Sequence, residues 1–501
     1  MRIKKCKSTD SSLMNDAQII SPVSFPAIAE SRPSFFCEKN LDSAIDGNDR
    51  EDEDSDSSNS RSNGIMRHIH FIGIGGIGIS ALARFYIAKG HRVTGSDLQT
   101  SEITDELTRD GVAIRIGAQR ATHLPKKTTL VIYTSAIPST NLELKAALKQ
   151  GIEAKPYAHA IGDLTRQYRT ITISGSHGKS TTTALSALVL ENGYHDPTVI
   201  VGTKLNEFGG SNFRNGRGTY LVLEADEWNK SFLHYQPEIA IVTNIDAEHL
   251  DTYGTVEQVE QTFHEYLEKV PRHGKIIANR DNERLRNVAK KFGMKVKWYS
   301  LRDPEVEIVR SVLRIPGDHN VSNALGALNL GRHLGIAETD ILQALSRFTG
   351  AWRRFEFMGI RNGAFVFNDY GHHPSEIIAT LAATRQRFPF RRIMCVYQPH
   401  QYQRLAHLMD GFIGAFDSAD HILMLPVYDV AGRETDEARK LVNSEKLVQE
   451  LTTRGKHAEY SASFDHAKQW INNNSRDGDV LMIMGAGDIY DLAKEVVSVL
   501  T

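Results

Sequence analysis

The chain has 501 residues, with 59 Lys and Arg against 61 Asp and Glu, which gives a formal net charge of −2 at pH 7. This length exceeds what one hydrophobic core usually serves, so two to four domains are expected. The balanced charge argues against nucleic acid as a partner. No apolar run approaches the roughly 20 residues that cross a bilayer, so no membrane span is predicted. Three scattered cysteines exclude a disulfide framework and fit a cytoplasmic location.

The first 65 residues differ in composition from the rest of the chain. Residues 42–63 are almost entirely Asp, Glu, Ser, Asn, Gly and Arg, a mixture that buries too little apolar surface to offset the entropy of ordering. Residues 1–65 are therefore predicted to be a disordered leader. Met66 directly precedes an apolar strand pattern. Either Met66 is the true start of translation, or the leader is a lineage-specific tail.

After Met66 the chain alternates predicted strands, glycine turns and helices. This order is typical of α/β domains with largely parallel sheets. Three such blocks are predicted: a Rossmann-like domain at residues 66–167, a central P-loop ATPase-like domain at 168–350, and a second Rossmann-like domain at 351–501.

A glycine-rich loop follows the first predicted strand. Its sequence GIGGIG at residues 73–78 satisfies the G-x-G-x-x-G pattern, and Asp97 ends the next strand, where a ribose-binding acid would stand. Taken alone, the loop indicates NAD. Its glycines, however, only let backbone N–H groups approach a diphosphate at a helix N-terminus, so any nucleoside diphosphate fits. Ser96 and Ser135 lie near strand ends and are candidate ligand-binding groups.

A second loop reads GSHGKSTTT at residues 175–183. It departs from the strict Walker spacing, because Ile173 stands where the first glycine is expected. The essential groups are present: Lys179 can reach the β- and γ-phosphates, and the Ser180 hydroxyl can ligate Mg²⁺. The segment therefore predicts an ATP site.

Candidate metal ligands follow two later strands. Glu224 ends an apolar strand and is followed by Asp226 and Glu227, and His249 follows another such strand among acids. Because Mg²⁺ prefers oxygen ligands beside a triphosphate, Glu224 is the first candidate, and His249 indicates a second metal site.

A glycine precedes a predicted helix at residues 317–324. The polar side chains in its first turns are His319, Asn320 and Asn323. They could cap the helix or hydrogen-bond an adenine.

In order and spacing, these segments resemble the Mur ligase family from Met66 onward. The resemblance rests on motifs in all three blocks: HFIGIGGIGIS at 70–80, GSHGKSTTT at 175–183, EADE at 224–227, NIDAEHLDTY at 244–253, GDHNVSNA at 317–324, RRFE at 353–356, NDYGHHPSEI at 368–377 and QPHQYQR at 398–404. The branch that the chain resembles most joins L-alanine to UDP-N-acetylmuramate.

The resemblance implies roles for individual residues. The residues implied to bind the UDP-linked substrate are Gly73, Gly75, Gly76, Gly78, Ser80, Ser96, Asp97 and Ser135. Those implied to bind ATP are Gly175, Ser176, His177, Gly178, Lys179, Ser180, Thr181, His319, Asn320, Asn323 and Arg353. The implied magnesium ligands are Ser180, Glu224 and His249. The residues implied to face the amino acid are Tyr370, His372, His400 and Arg404. Catalysis would then involve Lys179, Glu224, His249, His400 and Arg404.

The implied reaction belongs to peptidoglycan precursor synthesis. The lactyl carboxylate of UDP-N-acetylmuramate attacks the γ-phosphate of ATP, and the amine of a small amino acid then displaces phosphate from the acyl phosphate. Arg404 can bind the amino acid's carboxylate through two hydrogen bonds. The resemblance implies a cytoplasmic enzyme, either a monomer or a weak homodimer, with no nucleic acid or membrane partner.

Two departures from the family leave the amino acid open. The family usually reads QPHRYTR where this chain has Gln401 and Gln403, and residues 228–230 read Trp-Asn-Lys in place of a small acidic stretch. Glycine and L-serine are therefore alternatives to L-alanine, and a ligase that recycles a murein tripeptide is a further one. From other classes, an NAD-dependent oxidoreductase and a non-catalytic nucleotide-binding regulator remain as alternatives.

Overall fold

A computed structural model describes residues 66–429 and 436–498. The predicted leader therefore lies outside the described residues. The described chain contains three separate sheets, so the prediction of a three-domain α/β protein is confirmed. The boundaries predicted between the domains stay predictions.

The first domain is a five-stranded parallel sheet with four helices. Its elements are β1 (His68–Ile72), α1 (Ile77–Ala88), β2 (Arg92–Asp97), α2 (Glu102–Arg109), β3 (Ala113–Ile116), β4 (Leu130–Tyr133), α3 (Leu142–Lys149), β5 (Glu153–Pro156) and α4 (Tyr157–Thr165). The strand order is β3-β2-β1-β4-β5. The glycine loop thus leaves the carboxyl end of the central strand, where open α/β sheets bind ligands.

The second domain is a seven-stranded sheet with seven α-helices. Its elements are β6 (Arg169–Ser174), α5 (Lys179–Asn192), β7 (Thr198–Leu205), β8 (Ser211–Arg214), β9 (Tyr220–Glu224), β10 (Ile239–Val242), α6 (Leu250–Tyr253), α7 (Val256–Glu268), β11 (Lys275–Asn279), α8 (Glu283–Ala289), β12 (Val296–Tyr299), α9 (Val306–Val312), α10 (Asp318–His333) and α11 (Glu338–Arg347). In the order β12-β11-β10-β6-β9-β7-β8, only the edge strand β8 runs antiparallel among the described strands.

The third domain is a six-stranded sheet. Its elements are β13 (Glu356–Arg361), β14 (Ala364–Asp369), α12 (Pro374–Arg387), β15 (Ile393–Tyr397), α13 (Tyr402–His407), α14 (Met409–Ala415), β16 (His421–Met424), α15 (Asp436–Leu441), α16 (Ser444–Thr453), β17 (Ala458–Tyr460), α17 (Phe464–Asn474), β18 (Val480–Met484) and α18 (Ile489–Ser498). The order is β13-β14-β18-β15-β16-β17, and β13 pairs antiparallel with β14.

Both faces of each sheet are covered, which explains the continuous apolar runs in the strands. Along β10, Ile239 and Ile241 pack into one core, while Ala240 and Val242 pack into the other. In the third domain Cys395 is buried, and its neighbours Met394 and Val396 enter the opposite core. Because the strands are buried on both sides, polar groups concentrate where the strands end. Within the described residues no helix has the length and apolarity of a membrane span.

Candidate active site

The loop between β6 and α5 is shaped by two glycines. Gly175 and Gly178 have φ angles of 134° and 82°, in the region that side chains rarely adopt. A Cβ at Gly175 would overlap Thr243, and one at Gly178 would overlap Asn323. The loop therefore packs closely against β10 and α10, and α5 begins at Lys179 with its N-terminal N–H groups facing the loop.

Asn244, directly after β10, holds this loop in place. Its side-chain Oδ1 accepts a hydrogen bond from the His177 N–H at 2.9 Å, and its Nδ2 donates to the His177 carbonyl at 3.0 Å. The prediction from sequence did not include Asn244, although it lies within the NIDAEHLDTY motif.

Lys179 is paired with a buried carboxylate. Its Nζ lies 2.9 Å from Glu227 and donates to the Gly175 carbonyl at 2.8 Å. Burial alone would lower the pKa of Lys179, but the Glu227 and Asp226 carboxylates outweigh it and raise the pKa. The lysine is therefore a fixed cation beside the loop. Glu227, fully buried, was not singled out from the sequence.

The predicted magnesium ligands line the same cavity but form two groups of contacts. The Ser180 hydroxyl donates to Glu224 Oε1 at 3.0 Å, and Glu224 Oε2 accepts from the Gly202 N–H at 2.7 Å. His249 Nε2 lies 3.6 Å from Glu227, and the ligand atoms of Asp226, Glu227 and His249 lie within 4.8 Å of one another. Carboxylate, hydroxyl and imidazole donors of this kind fit a divalent cation.

A cavity of about 400 Å³ lies over the loop and reaches α10. Nine of the predicted ATP-binding residues line it: Ser176, His177, Gly178, Lys179, Ser180, Thr181, His319, Asn320 and Asn323. We call it the nucleotide cavity. Gly317, not a side chain, occupies the cap position of α10, so the capping interpretation of His319 and Asn320 is wrong. Burial lowers the pKa of His319 to about 4, which leaves a neutral ring at neutral pH.

The two arginines after the second domain differ in position. Arg354 lines the nucleotide cavity and forms an ion pair with Glu376 at 3.2 Å. Arg353, the residue predicted to bind ATP, instead donates to the carbonyls of Gly485 and Gly487 at 2.8 and 3.0 Å. Arg354, and not the predicted Arg353, therefore lines the nucleotide cavity.

A second cavity, of about 600 Å³, is lined by residues of all three domains. We call it the junction cavity. Predicted residues in its wall are Gly76, Gly78, Ser135, Ser176, Lys179, Ser180, Glu224, His249, Arg353, Tyr370 and His372. It shares Ser176, Lys179, Ser180, Glu224, Arg354 and Glu376 with the nucleotide cavity.

Among the described residues, five that were predicted to bind the UDP-linked substrate are not part of this wall: Gly73, Gly75, Ser80, Ser96 and Asp97. Asp97 Oδ2 accepts a hydrogen bond from the Gly75 N–H at 2.8 Å and so holds the glycine loop. Ser96 donates to the buried Glu143 at 2.6 Å. Ser80 accepts from Asn212 of β8 at 2.8 Å. Asp97 thus shapes the loop, Ser96 is held by a buried carboxylate, and Ser80 joins α1 to the second domain.

Two residues predicted to face the amino acid, His372 and Arg404, lie beside Glu248. Arg404 Nη2 lies 3.3 Å from Glu248 Oε1, and His372 Nε2 lies 3.7 Å from it. Burial alone would raise the pKa of Glu248, but Arg404 and His372 outweigh it and hold the pKa well below its usual range. His400 stacks on Tyr428, with ring centroids 5.5 Å apart. Glu248 was missed because its partners Arg404 and His372 lie 156 and 124 positions away in the sequence.

Comparison with known proteins agrees with this geometry. Three consecutive family models match the chain: Mur ligase family, catalytic domain, at residues 68–169; Mur ligase middle domain at 173–331; and Mur ligase, glutamate ligase domain, at 353–487. Proteins named UDP-N-acetylmuramate–L-alanine ligase are similar along most of their length. That of Caldanaerobacter subterraneus is 34% identical, over 86% of this chain and 97% of that protein. That of Alkaliphilus metalliredigens is 35% identical, over 86% and 96%.

Solved structures show the same arrangement of domains. The Thermotoga maritima UDP-N-acetylmuramate-alanine ligase MurC superposes with a TM-score of 0.72 at 25% identity, covering 87% of this chain and 99% of that one. A murein peptide ligase from Psychrobacter arcticus superposes with a TM-score of 0.64 at 23% identity, covering 86% and 98%. With all three domain models matched in order and relatives aligned nearly end to end, the chain belongs to the Mur ligase family.

Proposed function

We propose that this protein uses ATP to join L-alanine to the lactyl carboxylate of UDP-N-acetylmuramate, releasing ADP and phosphate, in peptidoglycan precursor synthesis. The observation that carries the proposal is the shared wall of the two cavities. Lys179, Ser180 and Glu224 face both the nucleotide cavity and the junction cavity. A γ-phosphate held by the loop would therefore meet a carboxylate that enters from the first domain.

The first chemical step needs a carboxylate oxygen in line with the γ-phosphorus. Gly76, Gly78 and Ser135 line the junction cavity and can place a UDP-linked substrate there through backbone and hydroxyl groups. Lys179 stabilises the negative charge that develops on the transferred phosphoryl group. Its present partner Glu227 would keep the ammonium oriented before ATP binds.

Magnesium fits the oxygen donors Ser180 and Glu224, which contact each other, and His249 would hold a second cation together with Asp226 and Glu227. When bound, magnesium would neutralise phosphate charge. Burial raises the pKa of Glu224 although the Lys179 ammonium opposes this shift, and a bound divalent cation would further favour the carboxylate anion. The oxygen donors, their burial and their position beside Lys179 together support this assignment.

The second step needs an amine next to the acyl carbon. Tyr370 and His372 of the third domain line the junction cavity. Arg404 and His400 do not line it, but Arg404 pairs with Glu248, which does. Arg404 would bind the amino acid's carboxylate, in exchange for part of its contact with Glu248. Gln401, which stands where the family usually has an arginine, has a φ of 71° and carries no charge. We propose L-alanine because the relatives named UDP-N-acetylmuramate–L-alanine ligase align over nearly their whole length. Glycine and L-serine are the alternative amino acids.

Family membership removes the oxidoreductase alternative, and Asp97 supports this, since its carboxylate holds the glycine loop rather than facing the junction cavity. A cytoplasmic location and a monomer or weak homodimer remain part of the proposal.

The test is phosphate release with Mg-ATP, UDP-N-acetylmuramate and one amino acid at a time. L-alanine should give the highest kcat/KM, with one amide formed per phosphate. The Lys179→Ala variant should lose at least about 100-fold in kcat, because a preorganised cation is removed. Lys290→Ala, at an exposed position, is the matched control. Faster turnover with glycine or L-serine would contradict L-alanine addition, and normal turnover by Lys179→Ala would contradict the phosphate loop.

A further inference from the structure

A bridge of charged and polar groups joins the phosphate loop to the third domain. His177 Nε2 donates to Asp246 Oδ2 at 3.1 Å, and His177 Nδ1 lies 3.6 Å from Glu376 Oε1. The Ser375 hydroxyl donates to the same Asp246 oxygen at 3.0 Å. Ser375 and Glu376 lie in the first turn of α12, whereas His177 and Asp246 belong to the second domain. We call these four residues the loop–α12 bridge.

Each end of the bridge is fixed to the backbone. On the side of the second domain, the Asp246 N–H donates to Ser176 Oγ at 2.8 Å, and the His177 N–H donates to Asn244. On the other side, Glu376 Oε2 accepts from the His372 N–H at 3.0 Å and closes a capping box with His373. A displacement of α12 would therefore pull directly on the phosphate loop.

The bridge requires a charged imidazole. A neutral histidine can donate from one ring nitrogen only, yet each ring nitrogen of His177 faces a carboxylate. His177 is 17% exposed and Glu376 only 9%, so solvent screens this contact much less than a surface ion pair. Charge-assisted hydrogen bonds in such surroundings are the strong ones.

The bridge lies beside the two cavities in which the proposed reaction would take place. Ser176, His177, Ser375 and Glu376 all line the nucleotide cavity, and Glu376 also lines the junction cavity. Both nitrogens of His177 are directed at carboxylates, so its side chain serves the contact between domains. An acyl phosphate is labile to water, and closure of the third domain over the cavities would exclude water from it.

We propose that His177 and Asp246 are positioning residues, which hold α12 and with it the amino-acid site closed over the phosphate loop while the acyl phosphate exists. This inference rests on the proposed ligase function. It assigns to His177 a role in domain closure and in the coupling of ATP use to amide formation, separate from ATP binding.

The test uses the full-length variants His177→Gln and Asp246→Asn and the double variant. The expected kcat loss is roughly 100-fold for each single variant, since small misplacements have effects of this size, while ADP affinity stays within about threefold. Phosphate release per amide formed should rise above the wild-type ratio, because water reaches the acyl phosphate. The double variant should be no slower than the slower single variant, since both break one bridge.

Matched controls are His466→Gln and Asp465→Asn, which make the same chemical changes at exposed positions of α17. Asp246→Glu keeps the charge and should recover part of the lost kcat. Thermal melting of each variant separates misfolding from misplacement. If ADP affinity falls in parallel with kcat, His177 is simply an ATP ligand and the proposal is overturned. Wild-type kcat and coupling in both single variants would overturn it as well.

A second measurement tests the bridge independently of the reaction. Small-angle scattering with a non-hydrolysable ATP analogue bound should show a larger radius of gyration for His177→Gln and Asp246→Asn than for the wild type and the two controls. Equal radii for all five proteins contradict the bridge. If the wild type releases no phosphate with any amino acid, the proposed ligase function is contradicted. The scattering measurement still tests the bridge in that case.

Discussion

At the scale of single residues, neighbouring side chains of the same type differ sharply in what they contact. Arg353 and Arg354 are adjacent, yet one is held by backbone carbonyls of the third domain and the other faces the nucleotide cavity. The RRFE motif marked the segment as functional but did not separate the two arginines. In the structure Arg353 has a positive φ of 59°, and the two guanidinium groups contact different partners.

Conservative variants of these two arginines should therefore have different effects. Arg354→Lys should raise the KM for ATP at least about tenfold, because a lysine cannot reproduce charge-assisted contacts of this geometry. Arg353→Lys should leave this KM within about threefold but lower the melting temperature, since it loses hydrogen bonds to Gly485 and Gly487. Steady-state kinetics and thermal melting check both. The reverse pattern would restore Arg353 as the ATP-binding arginine.

Three histidines in or near the nucleotide cavity should have pKa values far from that of a free histidine. Burial lowers the pKa of His319 and of His373 to about 4. Burial would also lower that of His177, but hydrogen bonds to Asp246 and Glu376 outweigh it and raise its pKa to about 10. NMR titration of the ring protons, assigned with His→Gln variants, should therefore show no transition of these three near pH 6.5. A His177 transition there would contradict the charged bridge.

These pKa shifts determine whether each histidine raises or lowers the free energy of unfolding as the pH changes. In the unfolded chain each histidine titrates near about 6.5. His319 and His373 therefore destabilise the fold as pH falls from about 6.5 towards 4, because only the unfolded chain binds protons there. The contribution of His177 is complete below about 6.5 and is lost as pH rises through about 10, because only the folded chain keeps its proton in between.

At the scale of elements, the strand-to-helix loops carry most of the site. The β6–α5 loop was predicted from GSHGKSTTT despite its missing first glycine, and its close contact with Thr243 and Asn323 leaves no room for a side chain at Gly175 and Gly178. The glycine loop after β1 likewise matches a diphosphate-binding pattern in sequence. Its acid, Asp97, supports the loop through Gly75, which the pattern for dinucleotide binding alone did not reveal.

Gly178→Ala and Gly90→Ala form a matched pair at this scale. Both glycines have φ near 80°, so each substitution should cost about 1–2 kcal/mol of backbone strain. A Cβ at Gly90 meets nothing within 4 Å, whereas one at Gly178 overlaps Asn323. Gly178→Ala should therefore be the less stable and should also lose ATP binding. Denaturant unfolding and nucleotide titration test this, and equal effects of the two variants would contradict the close contact.

At the scale of the whole molecule, the three domains meet around Lys204 of β7. Its Nζ pairs with Glu102 and, at 3.0 Å, with Glu106 of α2, and it lies 4.6 Å from the centre of the Trp352 ring at the start of the third domain. The side chain is 9% exposed. The Lys204 ammonium thus contacts both the first domain and the start of the third domain. Unlike the loop–α12 bridge, this contact does not involve the phosphate loop.

Lys204→Met should loosen this junction only moderately. Glu102 is 48% exposed and Glu106 21%, so water can solvate both carboxylates after the change. We expect a loss of about 1–2 kcal/mol, less than the several kcal/mol for a charge left fully buried. Denaturant unfolding measures it, with Lys468→Gln at a surface ion pair as the control. A loss no larger than that of the control would show that the junction contributes little.

The sequence by itself determined the class of this protein: the α/β layering, the three domains, the two glycine loops and the family. These features are local, because strand periodicity, loop glycines and short motifs are written in consecutive residues. Tertiary structure alone decided which groups meet. Lys179 with Glu227, Arg404 with Glu248, and His177 with Glu376 are pairs separated by 48 to 199 positions, and their partners are chosen by strand order and by the docking of the third domain. Charge pairing depends on distance in space, and single motifs carry no information on that distance.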